Sequence, residues 1–155
     1  VDLKQRLLVI KNIKSSDDLP PDSSFQTSSA YDEQNKQITF NLLNTNLKNI
    51  DGSTLVEKDF NGYKVYYKKY NKLATLEEEL TAGDKLRDSK LNELKQAEII
   101  ESRQNLMKID ISPENFQSEN VFLFVIIAAD INGNPKEDQF KVRELGAVPL
   151  KITIS

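Results

Sequence analysis

Phe122-Leu123-Phe124-Val125-Ile126-Ile127-Ala128-Ala129-Asp130-Ile131-Asn132-Gly133 is an unbroken apolar run that ends on a turn signal, and its reading decides the fold. A helix that crosses a bilayer takes about 20 apolar residues, and this run is too short. Its β-branched and aromatic content favours a strand, here a central strand buried on both faces. The two faces have to be accounted for separately, because side chains alternate along a strand. With Phe122, Phe124, Ile126 and Ala128 turned into a core, Leu123, Val125, Ile127 and Ala129 point the other way, where a strand of a two-sheet protein is normally polar. Left wet, several large aliphatic side chains would forgo several kcal/mol at about 25 cal/mol per Å2. A second cover is therefore required: a helical segment of the same chain, its N-terminal residues, or another molecule.

Working outward, Pro20-Pro21 forces extended backbone and separates an apolar knot (Leu7, Leu8, Val9, Ile10, Ile13), strand or helix, from the strands beyond it. Phe25 to Tyr31 and Ile38 to Leu43 read as strands around a polar turn, the second with Ile38, Phe40 and Leu42 alternating with Thr39 and Asn41. Asn44 to Asn61 is polar and reads as a loop, with turn dipeptides at Asp51-Gly52 and Asn61-Gly62. Tyr63 to Tyr70 is a third strand, with Tyr63, Val65 and Tyr67 on one side and Lys64, Tyr66 and Lys68 on the other. Leu73 to Arg103 changes to Leu, Glu, Lys, Ala and Gln without Pro, the composition of a helix. Its Leu73, Leu76, Leu80, Leu91 and Leu94 fall on one stripe at about 100° per residue. Gly83-Asp84 suggests a break into helices near 75–82 and 84–102. This stripe makes the helical insertion the first choice for the cover. Leu106, Ile109 and Ile111 resume extended structure, and Phe140 to Ile154 reads as a last strand, bent at Gly146 and Pro149. The organisation expected is an N-terminal extension over 1–19 and one domain over 20–155, with a helical insertion over about 74–103.

The 155 residues fit one ordinary domain. A formal net charge of -3 argues against a non-specific nucleic-acid binder, which carries a basic field. Cys and His are both absent, which removes disulfides, thiolate sites, Cys nucleophiles, the usual triads and nearly all zinc sites. No metal and no cofactor is expected, and catalysis would be left to carboxylates, Lys, Tyr, Ser and Thr. The chain opens on Val1 without a signal sequence, so it reads as a mature or trimmed piece, any lipidated Cys or other anchor lying outside it.

Taken in order, these segments resemble a fibronectin type III domain. The resemblance rests on Pro20-Pro21 before the first strand, Ile38-Thr39-Phe40-Asn41-Leu42 at the second, Gly62-Tyr63-Lys64-Val65-Tyr66-Tyr67 at the third, Pro113 between the fifth and sixth, and Phe122, Phe124, Ile126, Ala128, Asp130 and Gly133 spaced as in the sixth. Leu42 stands where that family has its core Trp, and Phe122 stands at the tyrosine corner, where it donates no hydroxyl hydrogen bond. The implied fold is mainly β, an immunoglobulin-like antiparallel sandwich with the helical insertion between its third and fifth strands. With a composition rich in Lys and Asn and poor in Arg, the chain further resembles a domain of a bacterial cell-envelope protein such as a spirochaetal surface lipoprotein. The resemblance implies an extracellular or cell-surface location and a host or envelope protein as partner, with membrane attachment only through an anchor outside the chain.

Asp130, Asn132 and Asn134 have the alternating oxygens of a calcium loop, but Pro135 stands at the required Gly and Lys141 at the bidentate Glu, so a hairpin turn is the reading. Glu77, Glu78 and Glu79 point in different directions on a helix and suit its N-terminus rather than a paired catalytic site. Lys64, Tyr66 and Lys68 share one face, where cation–π and anion contacts compete with plain solvation. Together with Leu123, Val125 and Ile127 they form the candidate interaction surface. The functions expected, in order, are a non-enzymatic binding or adhesion module, a structural spacer in a larger envelope assembly, and a carboxylate-dependent enzyme or accessory domain. An exposed apolar patch would favour the first, a smooth polar surface the second, and a large pocket with convergent carboxylates the third.

Overall fold

The computed structural model describes residues 19–43, 48–71, 75–100, 106–110 and 120–154. Leu7 to Ile13, Leu73, Ile111 and Pro113 lie outside them. Two antiparallel sheets make up a mainly β, sandwich-like architecture. One contains β1 (Gln26–Asp32), β2 (Gln37–Leu43) and β5 (Leu106–Asp110) in the order β1-β2-β5. The other contains β3 (Phe60–Asn71), β4 (Lys95–Ile100), β6 (Asn120–Asp130) and β7 (Leu150–Ile154) in the order β4-β3-β6-β7. Among the described residues one α-helix, α1 (Leu76–Arg87), lies between β3 and β4 in the chain.

The alternation along β6 divides the interior in two. Phe122, Phe124, Ile126 and Ala128 share one core with Ile38, Phe40 and Leu42 of β2, Tyr63, Val65 and Tyr67 of β3, and Ile152 of β7. Its rings meet edge-on or tilted, Phe40 at 5.4 Å from Phe124 and Tyr67 at 5.7 Å from Phe124, within the range aromatic pairs prefer. Ser23 pins the loop before β1 to this strand, its Oγ accepting from the Ala128 N–H at 3.0 Å. On the other face Leu123, Val125 and Ile127 join Tyr66 in a second core. Three pieces cover it: Ala82 and Leu86 of α1, Leu91 of a short 3-10 turn, and Val142, Leu145 and Ala147 near a second such turn at Val142–Leu145.

Several segments depart from the sequence reading, each for a physical reason. The helical insertion does not extend over 74–103, because Lys95–Ile100 pairs with β3 as a strand, Tyr63 opposite Ile100 and Tyr67 opposite Lys95. A helical composition yields there to an unpaired β3 edge, whose backbone groups need partners. Gly83 does not break α1. A Gly inside a helix costs about 1 kcal/mol, less than the roughly 1.5–3 kcal/mol from burying a side chain such as Leu86. Thr75 starts the helix by accepting from the Glu78 N–H at 3.1 Å, with Glu77, Glu78 and Glu79 in the first turn and Lys85 and Arg87 in the last, charges that suit the helix dipole. Asn61-Gly62 is a bulge in β3 rather than a turn, with Gly62 at φ 92° where the register to β6 shifts. Phe140 to Ile154 is not one bent strand: the 3-10 turn ends at Gly146, φ 79°, and β7 begins only at Leu150.

The leucine stripe is also divided. Leu91 is buried, but Leu76 is 71% exposed and Leu80 63% exposed, while Leu86 is fully buried. Truncating Leu86 to Ala should therefore cost about 2–5 kcal/mol in urea unfolding, and Leu80→Ala should stay within about 0.5 kcal/mol of the parent. Equal costs at the two positions would mean that α1 is rotated about its axis.

Candidate interaction surface

The orientation of α1 follows from what it carries. At about 100° per residue, Ala82 and Leu86 form one apolar stripe, and Leu76 and Leu80 form another roughly 120° away, with Gly83 about 20° beyond Leu76 on the side away from Leu80. Only one can face the sheet. The first does, and the Tyr70 hydroxyl donates to the Ala82 carbonyl at 3.3 Å from β3. The second is left at the mouth of a groove of about 250 Å3 between α1 and β7, lined by Leu76, Leu80, Gly83, Leu123 and Pro149 and by the charged Glu79, Asp84, Arg87 and Lys151. Lys151 Nζ lies 2.8 Å from Glu79 Oε1 and links β7 to α1 across the groove. Val148, next to Pro149, is 54% exposed. Two large leucines and a valine thus stand in solvent beside an apolar floor.

The residues singled out from sequence fall on both sides of the cover. Val125, Ile127 and Tyr66 are buried by the chain's own α1 and 3-10 turns and offer no open face, and Leu123, also buried, shows only an edge on the floor of the groove; the apolar outer side of β6 is interior because the cover is intramolecular. Lys64 is half-buried and Lys68 exposed, its Nζ 5.7 Å from the centre of the Tyr70 ring. The two lysines flank Tyr66 along β3, but its ring is beneath the cover, so the three make no common platform. The Tyr66 hydroxyl instead donates to Glu137 Oε1 at 2.8 Å. Leu76 and Leu80, assigned by the stripe to the interior, are the surface the sequence reading missed. The signal that distinguishes them was the competing Ala82–Leu86 pair one helical turn apart, whose small Ala admits a close approach to the sheet.

Among the described residues no group of acidic side chains converges on a common site. A depression of about 550 Å3 is lined by Tyr70, Thr75, Glu77, Glu78, Thr81, Ala82 and Lys85, but its two carboxylates are consecutive on α1 and both exposed. Asp130 is occupied by its own turn: Oδ1 accepts from the N–H groups of Asn132 (3.0 Å) and Asn134 (2.8 Å), and Oδ2 from Asn134 Nδ2 (3.0 Å). That pattern is a turn closed by an Asp side chain, but not a hairpin: β7 begins only at Leu150 and pairs with Asn120–Phe124, at the other end of β6. Comparison with protein families, with curated proteins and with solved structures finds no match to this chain.

Burial raises the pKa of the inner tyrosines, Tyr63 from 10.0 to about 12. Tyr66 is raised further, by burial first and then by the hydrogen bond and charge of Glu137. The folded state disfavours tyrosinate, so the stability these groups contribute is complete below the unfolded pKa near 10 and is lost as pH rises toward about 12. Thermal unfolding at increasing alkaline pH should show this fall, with tyrosinate absorbance from the folded protein delayed relative to the unfolded chain. Simultaneous titration of all five tyrosines at the unperturbed value would contradict the burial of Tyr63 and Tyr66.

Proposed function

We propose that the chain is a non-enzymatic binding or adhesion module built on a fibronectin type III-like sandwich and carried on the surface of a bacterial cell envelope. One observation carries the binding reading: the groove between α1 and β7 with Leu76 and Leu80 exposed at its mouth. Single exposed apolar residues are ordinary, but neighbouring ones along a groove with an apolar floor and charged sides mark interaction sites. The sheet orders β1-β2-β5 and β4-β3-β6-β7 support the fold-family reading, since they separate the first, second and fifth strands from the third, fourth, sixth and seventh. The surface location rests on the resemblance of sequence.

A groove flanked by a helix and a strand end accepts a partner through apolar anchors at helical spacing. A random peptide library displayed against the folded, immobilised protein tests this. Enriched sequences should carry paired apolar side chains three or four residues apart, and their binding should weaken about tenfold or more on Leu80→Asp. No enrichment, or enrichment indifferent to Leu76 and Leu80, would sink the binding reading and leave a spacer between other parts of an envelope assembly.

A further inference from the structure

Helix α1 has the same features in reverse order at its two ends, which fits it to a second copy of itself. Its first turn is acidic (Glu77, Glu78, Glu79) and its last turn basic (Lys85, Arg87). Its exposed face carries two leucines in the N-terminal half and Gly83 in the C-terminal half. A Cβ built on Gly83 meets nothing within 4 Å, so the position is an open notch in the helix surface. Resting on the reading of the α1–β7 groove as a docking surface, we propose that its partner is a second copy of this chain, bound through antiparallel α1 helices about a two-fold axis.

The axis falls at the centre of the 12-residue helix, between Thr81 and Ala82. That placement sets Leu80 of each copy against Gly83 of the other, a large side chain in the notch where no side chain stands. Leu76 lies along the stem of Arg87 in the second copy, and the Glu77 end of each helix meets the Arg87 end of the other. Antiparallel helices also oppose their dipoles favourably. Glu79 and Asp84 meet near the middle of the contact, and each already has a cation, Lys151 at 2.8 Å and Arg87 at 3.5 Å, which limits their repulsion. A parallel pair would instead set acid against acid and base against base. Two-fold pairs of this kind are self-complementary, the commonest form of oligomer. The contact is small: one face of a helix about 18 Å long and the Val148–Pro149 shoulder, at or below the roughly 1,200 Å2 of the smallest stable specific interfaces. The pair is therefore weak, with a dissociation constant on the order of 100 µM.

Sedimentation equilibrium of the full chain, taken to about 1 mM, tests the proposal with three variants. Leu80→Asp should weaken association about tenfold or more. Gly83→Ala should raise the thermal midpoint by about 3 °C through helix propensity and yet weaken association about fivefold by filling the notch; a role confined to folding would not separate the two readouts. Glu77→Arg and Arg87→Glu should each weaken association, and the double exchange should restore it, as an antiparallel contact requires. A chain that stays monomeric throughout, or a dimer that ignores Leu80 and Gly83, would overturn the proposal. A monomer whose peptide binding still depends on Leu80 would reject the second copy as partner and keep the groove as a docking surface; loss of both would remove the two readings together.

Discussion

The molecule depends on one constraint, that β6 is apolar on both faces and sits inside its sheet. A strand with one polar face can be sealed by a single opposing sheet. Here Phe122, Phe124 and Ile126, with Tyr63, Val65 and Tyr67 of the neighbouring β3, need β2 of the opposing sheet on one side, and Leu123, Val125 and Ile127 need something else on the other. The second seal is an assembly of three short pieces, none of which has enough apolar surface to stand alone. They are therefore tied to one another. The Val142 N–H donates to the Ser89 carbonyl at 2.9 Å and the Asn92 N–H to the Glu137 carbonyl at 3.1 Å, while Arg143 Nε lies 3.1 Å from Asp88 Oδ1. The exposed ion pair adds little energy on its own. Its contribution is to register, holding the piece before β4 against the piece before β7 so that Leu91 and Leu145 close over the same strand.

This arrangement explains why the sequence was legible in some places and not in others. Strands whose alternation is enforced by a core could be read residue by residue: β2, β3 and β6 have the parities that Ile38, Tyr63 and Phe122 suggest. The demand for a second cover was legible from Leu123, Val125 and Ile127 alone. What could not be read was the form of the cover, because its pieces are too short for periodicity to accumulate and are shaped by neighbours. Lys95 to Ile100 has residues that favour a helix in isolation, and only the free edge of β3 makes it a strand. Gly83 is a helix breaker by propensity, overridden once Ala82 and Leu86 are anchored. For the candidate surface the failure is more specific. A leucine stripe drawn over 73–94 carried one buried face across two expected helices, whereas α1 runs through Gly83, ends at Arg87 and has two apolar stripes between which only the sheet could choose.

The choice it made has consequences at the surface. Ala82 lets the helix backbone approach closely enough for the Tyr70 hydroxyl to reach a main-chain carbonyl, which a leucine stripe would prevent. Facing the sheet with its slimmer stripe, α1 leaves its bulkier one in water, where two leucines bring no folding benefit and some risk of aggregation. Places where the local rule is broken without a structural return are where function is to be sought. Gly83 fits the same description, since it weakens the helix and no neighbour in the chain requires its missing side chain.

Weakness of a contact on this face is compatible with use. Two soluble copies with a dissociation constant on the order of 100 µM spend most of their time apart at micromolar concentration. Copies tethered to one surface, or on two surfaces brought together, meet at effective concentrations that reach millimolar, where the same contact is mostly formed. Many such contacts acting together hold firmly while each exchanges quickly. The covered inner leucines and the uncovered outer ones then differ in kind: Leu86 is held in the core in any setting, whereas a contact through Leu76 and Leu80 would form only where copies of the domain are crowded together.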